Sequence, residues 1–170
     1  MSNSTYTTAV SLQQTPKLLV SLAAPFLAGF VGSLATSSSV TTWYNTLTQP
    51  SFSPPNWVFG PVWTVLYLLM GIALYRVWAR PVSPRNAEGK QQALLLFAVH
   101  LLLNAGWSIA FFGFKSPALG LLVIVILLGL IALLVREFYR IDKAAAYLLL
   151  PYLAWVAFAT LLNFSLWQLN

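Results

Sequence analysis

A chain of 170 residues that is 59% hydrophobic and only 7% charged, with a mean hydropathy of +0.77, lacks the makeup of a water-soluble domain, where about a quarter of residues are charged. The absence of cysteine excludes disulfides, thiolate metal sites, a cysteine nucleophile and an iron–sulfur cluster. The net charge of +6 does not mark a nucleic-acid surface, because the basic residues flank hydrophobic segments instead of forming a patch interleaved with aromatics.

Five apolar stretches of about 20 residues, each able to cross a hydrocarbon core about 30 Å thick, predict an all-α membrane protein. A single five-transmembrane-helix bundle would occupy residues 18–170, after a polar tail over 1–17. The first helix is expected over 18–39. Its Ala24, Ala28, Gly32 and Thr36 form a small-residue stripe at steps of four, which lets another helix backbone approach closely. A secretory signal is the rival reading of this segment, with Ser33-Leu34-Ala35 as a poor cleavage site.

Residues 40–56 are polar, aromatic and uncharged, and Pro50, Pro54 and Pro55 prevent a regular helix. Trp43, Tyr44 and Phe52 predict that this loop folds back as a lid or rests at the membrane interface. The second helix is expected over 57–79 and the third over 91–112, joined by a loop with Arg80, Arg85 and Lys90. A tight turn leads to the fourth helix, 117–135. A charged loop over 136–143 precedes the fifth, 144–167.

With five crossings, Lys17, Arg76, Arg80, Arg85, Lys90, Arg136, Arg140 and Lys143 lie on one side, and Lys115 alone lies opposite. By the positive-inside rule the amino terminus is expected to be cytoplasmic and the lid loop to face outward.

Enzyme constellations are sparse. The acids, Glu88, Glu137 and Asp142, sit in predicted loops, so no intramembrane carboxylate relay is expected, and no Gly-rich phosphate cradle is present. His100 lies mid-helix with Asn104 and Trp107 near the same face. It is a candidate axial haem ligand, but a lone histidine cannot form a zinc site, and the plainer reading is a histidine hydrogen-bonded between helices. Asn104 and Asn163 should face protein or a cavity, either joining helices or touching a ligand. Trp63, Trp107 and Trp155 lie deeper than an interfacial belt explains, so they are candidates to line a pocket for a flat apolar ligand. Trp57, Trp78 and Trp167 fit the belt. Pro25, Pro61 and Pro151 each free a carbonyl one turn back and mark expected kinks.

The run from Trp43-Tyr44 through Gln49-Pro50-Ser51-Phe52-Ser53-Pro54-Pro55-Asn56-Trp57-Val58-Phe59-Gly60-Pro61-Val62-Trp63-Thr64 closely resembles the signature of the translocator protein family, also called tryptophan-rich sensory protein or peripheral-type benzodiazepine receptor. Leu103-Asn104, Trp107-Ser108 and Phe111-Phe112 resemble its third helix. Pro151-Tyr152-Leu153-Ala154-Trp155 and Ala157 to Asn163 resemble its fifth. The resemblance implies a five-helix bundle, commonly a homodimer, that binds porphyrins such as protoporphyrin IX and haem, sterols, and isoquinoline- or benzodiazepine-type compounds. By position, the implied pocket includes Tyr44, Phe52, Trp57, Trp63, Asn104, Trp107, Trp155, Ala159 and Leu162, with Ala28 at its margin. Porphyrin or haem would be ligand, with no cofactor required.

Light-dependent porphyrin breakdown is a second implied activity, with Trp63 and Trp155 as its candidate residues. A third reading, of a structural oligomer, takes the small-residue stripe as the oligomer interface. The sterol pattern at the end of the family's fifth helix needs a Tyr and then a basic residue, but Phe164 and Gln168 stand here.

Overall fold

The computed structural model describes residues 3–170, with side chains from Gln14 onward; Met1 and Ser2, the start of the predicted polar tail, lie outside the described residues. The described chain forms helices α1 (Asn3–Val40), α2 (Asn56–Ala79), α3 (Pro84–Ser108), α4 (Pro117–Ile141) and α5 (Lys143–Leu169), and no strand. All five contain a segment long and apolar enough to cross a membrane. The protein is an integral, multi-pass membrane protein.

Three boundaries depart from the sequence reading. Helix α1 begins at Asn3, so the backbone of the described part of the tail is helical. Helix α3 begins at Pro84, where proline's missing N–H would have had no helical partner anyway. The expected charged loop over 136–143 is helix except at Asp142. The reason lies in the buried positions of α4, Gly120, Ile124, Leu127, Ile131, Leu134 and Phe138. Their alternating steps of four and three form a heptad seam, and that seam runs on beneath the charges, with Phe138 fully buried. Asp142 then breaks the helix with extended backbone (φ −148°) while its carboxylate accepts from the Ala145 N–H at 3.0 Å, capping α5.

Helix contacts close a ring in the order α1, α2, α5, α4, α3 and back to α1. Large apolar side chains such as Leu27, Phe30 and Leu34 on α1, Leu102 on α3, Leu122 on α4 and Leu161 on α5 are exposed on the outside of the bundle. That arrangement suits lipid, which does not penalise them.

The small-residue stripe is used within the chain. Ala24 and Ala28 pack against the core, and a Cβ added to Gly32 would lie 2.9 Å from Ser108 Oγ on α3. Helix α1 runs on through Pro25, which cannot donate to the Ser21 carbonyl. Gly71 of α2 meets α1 at that carbonyl, where an added Cβ would lie 2.9 Å from the Ser21 oxygen. The proline break is thus covered by a close helix crossing. Helices α2 and α5 likewise continue through Pro61 and Pro151.

The core divides along the helix axes. One cluster, from α2, α3, α4 and α5, is centred on residues such as Met70, Phe97, Ile131, Leu149 and Tyr152. A smaller one, Tyr44, Phe111, Phe112, Leu162 and Leu166, gathers under the first loop.

Candidate ligand-binding cavity

The second cluster borders a cavity of about 240 Å³ at the end of the bundle where α1 and α3 finish and α2 begins. Thr36 and Val40 of α1, Tyr44 of the loop, Asn56 and Phe59 of α2, and Trp107, Phe111 and Phe112 form most of its wall. The last two belong to a π-helical turn, Ile109–Gly113, that continues α3. Ala159, Leu162, Asn163 and Leu166 of α5 complete it.

Aromatic faces dominate this lining. Trp107 stacks on Phe111 (5.5 Å, 26°) and meets Phe112 edge-on (5.9 Å, 84°), and Tyr44 packs against both phenylalanines. From the π-turn, the adjacent Phe111 and Phe112 both reach the cavity. Asn163 sits in the wall with its amide engaged: Oδ1 accepts from Trp107 Nε1 at 3.1 Å, and Nδ2 donates to the Pro117 carbonyl at 2.8 Å. That pair of bonds fixes the Trp107 indole against α5 and the start of α4.

The loop over 41–55 covers this end. Tyr44 lies in a 3-10 turn, Tyr44–Thr46, and is buried. Further along, the Thr48 N–H donates to Asn170 Oδ1 at 2.8 Å, and Asn170 Nδ2 donates back to the Thr48 carbonyl at 3.2 Å, so the end of α5 latches the loop. Phe52 lies over Phe158 (6.3 Å) while remaining about half exposed.

Among the sequence-predicted site residues, Tyr44, Trp107, Ala159 and Leu162 line the cavity. Phe52 lies on the loop beside it. Trp155 sits one layer behind, in edge contact with Phe59 (5.8 Å) and tilted against Phe158 (5.6 Å). Its Nε1–H is buried with no acceptor among the described residues. Trp63 and Asn104 belong to the deeper core: Trp63 stacks on Tyr67 (5.3 Å) and meets Tyr152 edge-on, while Asn104 accepts from the Tyr67 hydroxyl at 3.4 Å and donates to the Tyr152 oxygen at 3.1 Å. Ala28 also packs against that core. Trp57 is 75% exposed on the outside of α2.

His100 is fully buried between Phe97 and Tyr152, its Nδ1 against the Phe97 carbonyl and its Nε2 without a partner among the described residues. It is not in the cavity lining, so a macrocycle held there would not reach it without rearrangement of the core. Sequence reasoning did not assign Phe59, Phe111, Phe112, Asn56, Thr36, Val40 or Leu166 to the pocket. Adjacent helical residues point about 100° apart, so periodicity does not announce that Phe111 and Phe112 both border one cavity.

Comparison with known proteins places this architecture. The chain is 45% identical over 142 residues to the tryptophan-rich protein TspO of Chlorobaculum tepidum, covering 84% of this chain and 88% of that one. It is 43% identical over 154 residues to the protein of the same name from Archaeoglobus fulgidus, covering 91% and 97%. With the human translocator protein it shares 39% over 147 residues, 86% of each chain. The TspO/MBR family profile matches residues 21–168, from the first third of the membrane-crossing part of α1 to the last turn of α5, and on these grounds the chain belongs to the TspO/MBR family.

Proposed function

We propose that this protein binds porphyrins, protoporphyrin IX and haem among them, in the aromatic cavity beneath its first loop, and serves tetrapyrrole traffic or stress sensing. Family membership supports a membrane ligand-binding role. The observation that carries the finer reading is the cavity wall itself, in which Tyr44, Phe59, Trp107, Phe111 and Phe112 present rings to one space. Flat conjugated ligands stack on such faces and bury large apolar areas there.

At about 240 Å³, the cavity is smaller than the roughly 300–1,000 Å³ of sites that hold drug-sized ligands. A macrocycle must therefore displace the loop and the Phe59 ring. Moving Phe59 would also open a way to Trp155, whose unpartnered indole N–H could then donate to a ligand oxygen. Sterols and isoquinoline- or benzodiazepine-type compounds are proposed as alternative occupants of the same space. A homodimer would have to use a lipid-facing ridge, because the small-residue stripe of α1 is already covered by α2 and α3.

Light-driven porphyrin breakdown by Trp63 and Trp155 has less support, since neither indole lines the cavity. The test is a titration of the detergent-purified protein with protoporphyrin IX in the dark, read by tryptophan fluorescence. Saturable quenching near one ligand per chain, lost in Ala159→Phe, is the expected result; that substitution fills the cavity and leaves every tryptophan in place. Linear, unsaturable quenching in both proteins would overturn the reading.

A further inference from the structure

A second, polar cleft of about 600 Å³ lies at the other end of the bundle, between the segment after α2, the first turns of α3 and the last turn of α4. Its walls carry the cations Arg80, Arg85, Lys90 and Arg140, and Glu137 is their single carboxylate. Arg140 is paired with Glu137 at 3.0 Å, and Arg80 shares Asp142 with Arg76, each at 3.0 Å. Lys90 donates to the Trp78 and Arg80 carbonyls at 2.7 and 2.8 Å, which hold the ammonium in place without cancelling its charge. Arg85 is exposed and has no ion pair among the described residues. The cleft stays positive even after Asp142 is counted against it.

We propose that this cleft binds a phosphate-bearing anion, supplied in the membrane by the headgroup of an anionic phospholipid. Guanidinium groups match phosphate oxygens two at a time, and basic pockets between helices at this depth hold such headgroups. The cleft opens where transmembrane helices end, at the level of the headgroups, and Pro81, Val82 and Ile141 give it an apolar side. The first turn of α3 carries no acidic residue; Glu88, in the next turn, accepts from Gln92 of the wall at 3.4 Å, and the cations still outnumber the carboxylates with Glu88 counted. Sequence alone reads these cations as topology signals, which explains their side of the membrane but not their convergence on one concavity.

The experiment compares the full chain with Arg85→Gln, Gly89→Asp and Arg136→Gln in nanodiscs of phosphatidylcholine with or without phosphatidylglycerol, reading retained lipid by native mass spectrometry after transfer to detergent. Arg136 is exposed and outside the cleft, so its variant removes the same charge elsewhere. An added Cβ at Gly89 meets nothing within 4 Å, so the aspartate fits and puts a carboxylate in the site. The parent and Arg136→Gln are expected to retain phosphatidylglycerol over phosphatidylcholine, Arg85→Gln to retain it about fivefold less, and Gly89→Asp to lose the preference. Displacement of the lipid from the parent by inorganic phosphate, less complete in Arg85→Gln, would show that the phosphate group itself is recognised, whereas lipid retained against phosphate would make the headgroup the source. Equal losses in Arg85→Gln and Arg136→Gln would mean diffuse attraction and overturn the site, as would a parent without preference between the two lipids. Porphyrin titration reads the opposite end of the bundle, so failure of one assignment leaves the other intact.

Discussion

Asn104 and Asn163 are chemically identical but do different work. Asn104 ties α3 to α2 and α5 through two tyrosine hydroxyls inside the core, and Asn163 holds Trp107 at the cavity wall. Interhelical hydrogen bonds in membranes contribute about 0.6 kcal/mol each, up to about 1.7. Leaving a buried hydroxyl such as that of Tyr152 unpaired adds its own penalty. Asn104→Leu is therefore expected to lower stability by about 1–3 kcal/mol while porphyrin affinity holds, measured by unfolding in detergent and by titration. Unchanged stability with lost affinity would instead put Asn104 at the ligand.

Where α3 and α4 meet at the cavity, two positions are demanding. Gly120 faces Phe111 and Asn163 so closely that an added Cβ would lie 2.7 Å from the Phe111 ring and 2.9 Å from Asn163 Oδ1. Gly120→Ala should push Phe111 into the cavity, costing about 1–3 kcal/mol of stability and weakening porphyrin binding, whereas Gly129→Ala, in open space, serves as the neutral control. Lys115 takes a left-handed conformation (φ 51°) in the turn that precedes α4. Such backbone suits glycine, so Lys115→Gly is expected to raise stability by up to about 1 kcal/mol, observable as a higher midpoint in thermal unfolding.

At the scale of the whole molecule, the two ends of the bundle follow different physics. The lid end is aromatic and incompletely filled, which suits a ligand. The charged end is closed by Asp142, which caps α5 and gathers Arg76 of α2 and Arg80 just beyond its end. Burial pushes its carboxyl pKa up, but the Ala145 N–H and the two guanidinium groups outweigh burial and hold it below the ordinary 3.8. A folded-state pKa below the unfolded one gives stability that is full above the unfolded value and is lost as pH falls through the folded one. The advantage of the parent over Asp142→Asn should thus be complete at neutral pH, about 1–2 kcal/mol from the cap and exposed ion pairs, and shrink as pH drops below 3.8. A pH-independent difference between the two proteins would sink this account.

Helix count, the family resemblance and the irregular loop after α1 were legible in the sequence, because hydrophobic length and proline placement are local properties that bilayer thickness reads directly. The sequence also pointed to Tyr44, Trp107, Ala159 and Leu162, which line the cavity. Which deep aromatics face that space depends on how the helices pack. Trp63 and Asn104 belong to the core because Tyr152, from α5, meets both of them, and the adjacent Phe111 and Phe112 both border the cavity from the π-turn. The same holds at the charged end, where the heptad seam of α4 carries the helix beneath its charges to Asp142. Convergence of side chains from separate helices depends on ring order and close crossings, and those are set by contacts such as Gly32 on Ser108 and Gly71 on Ser21 between residues distant in sequence.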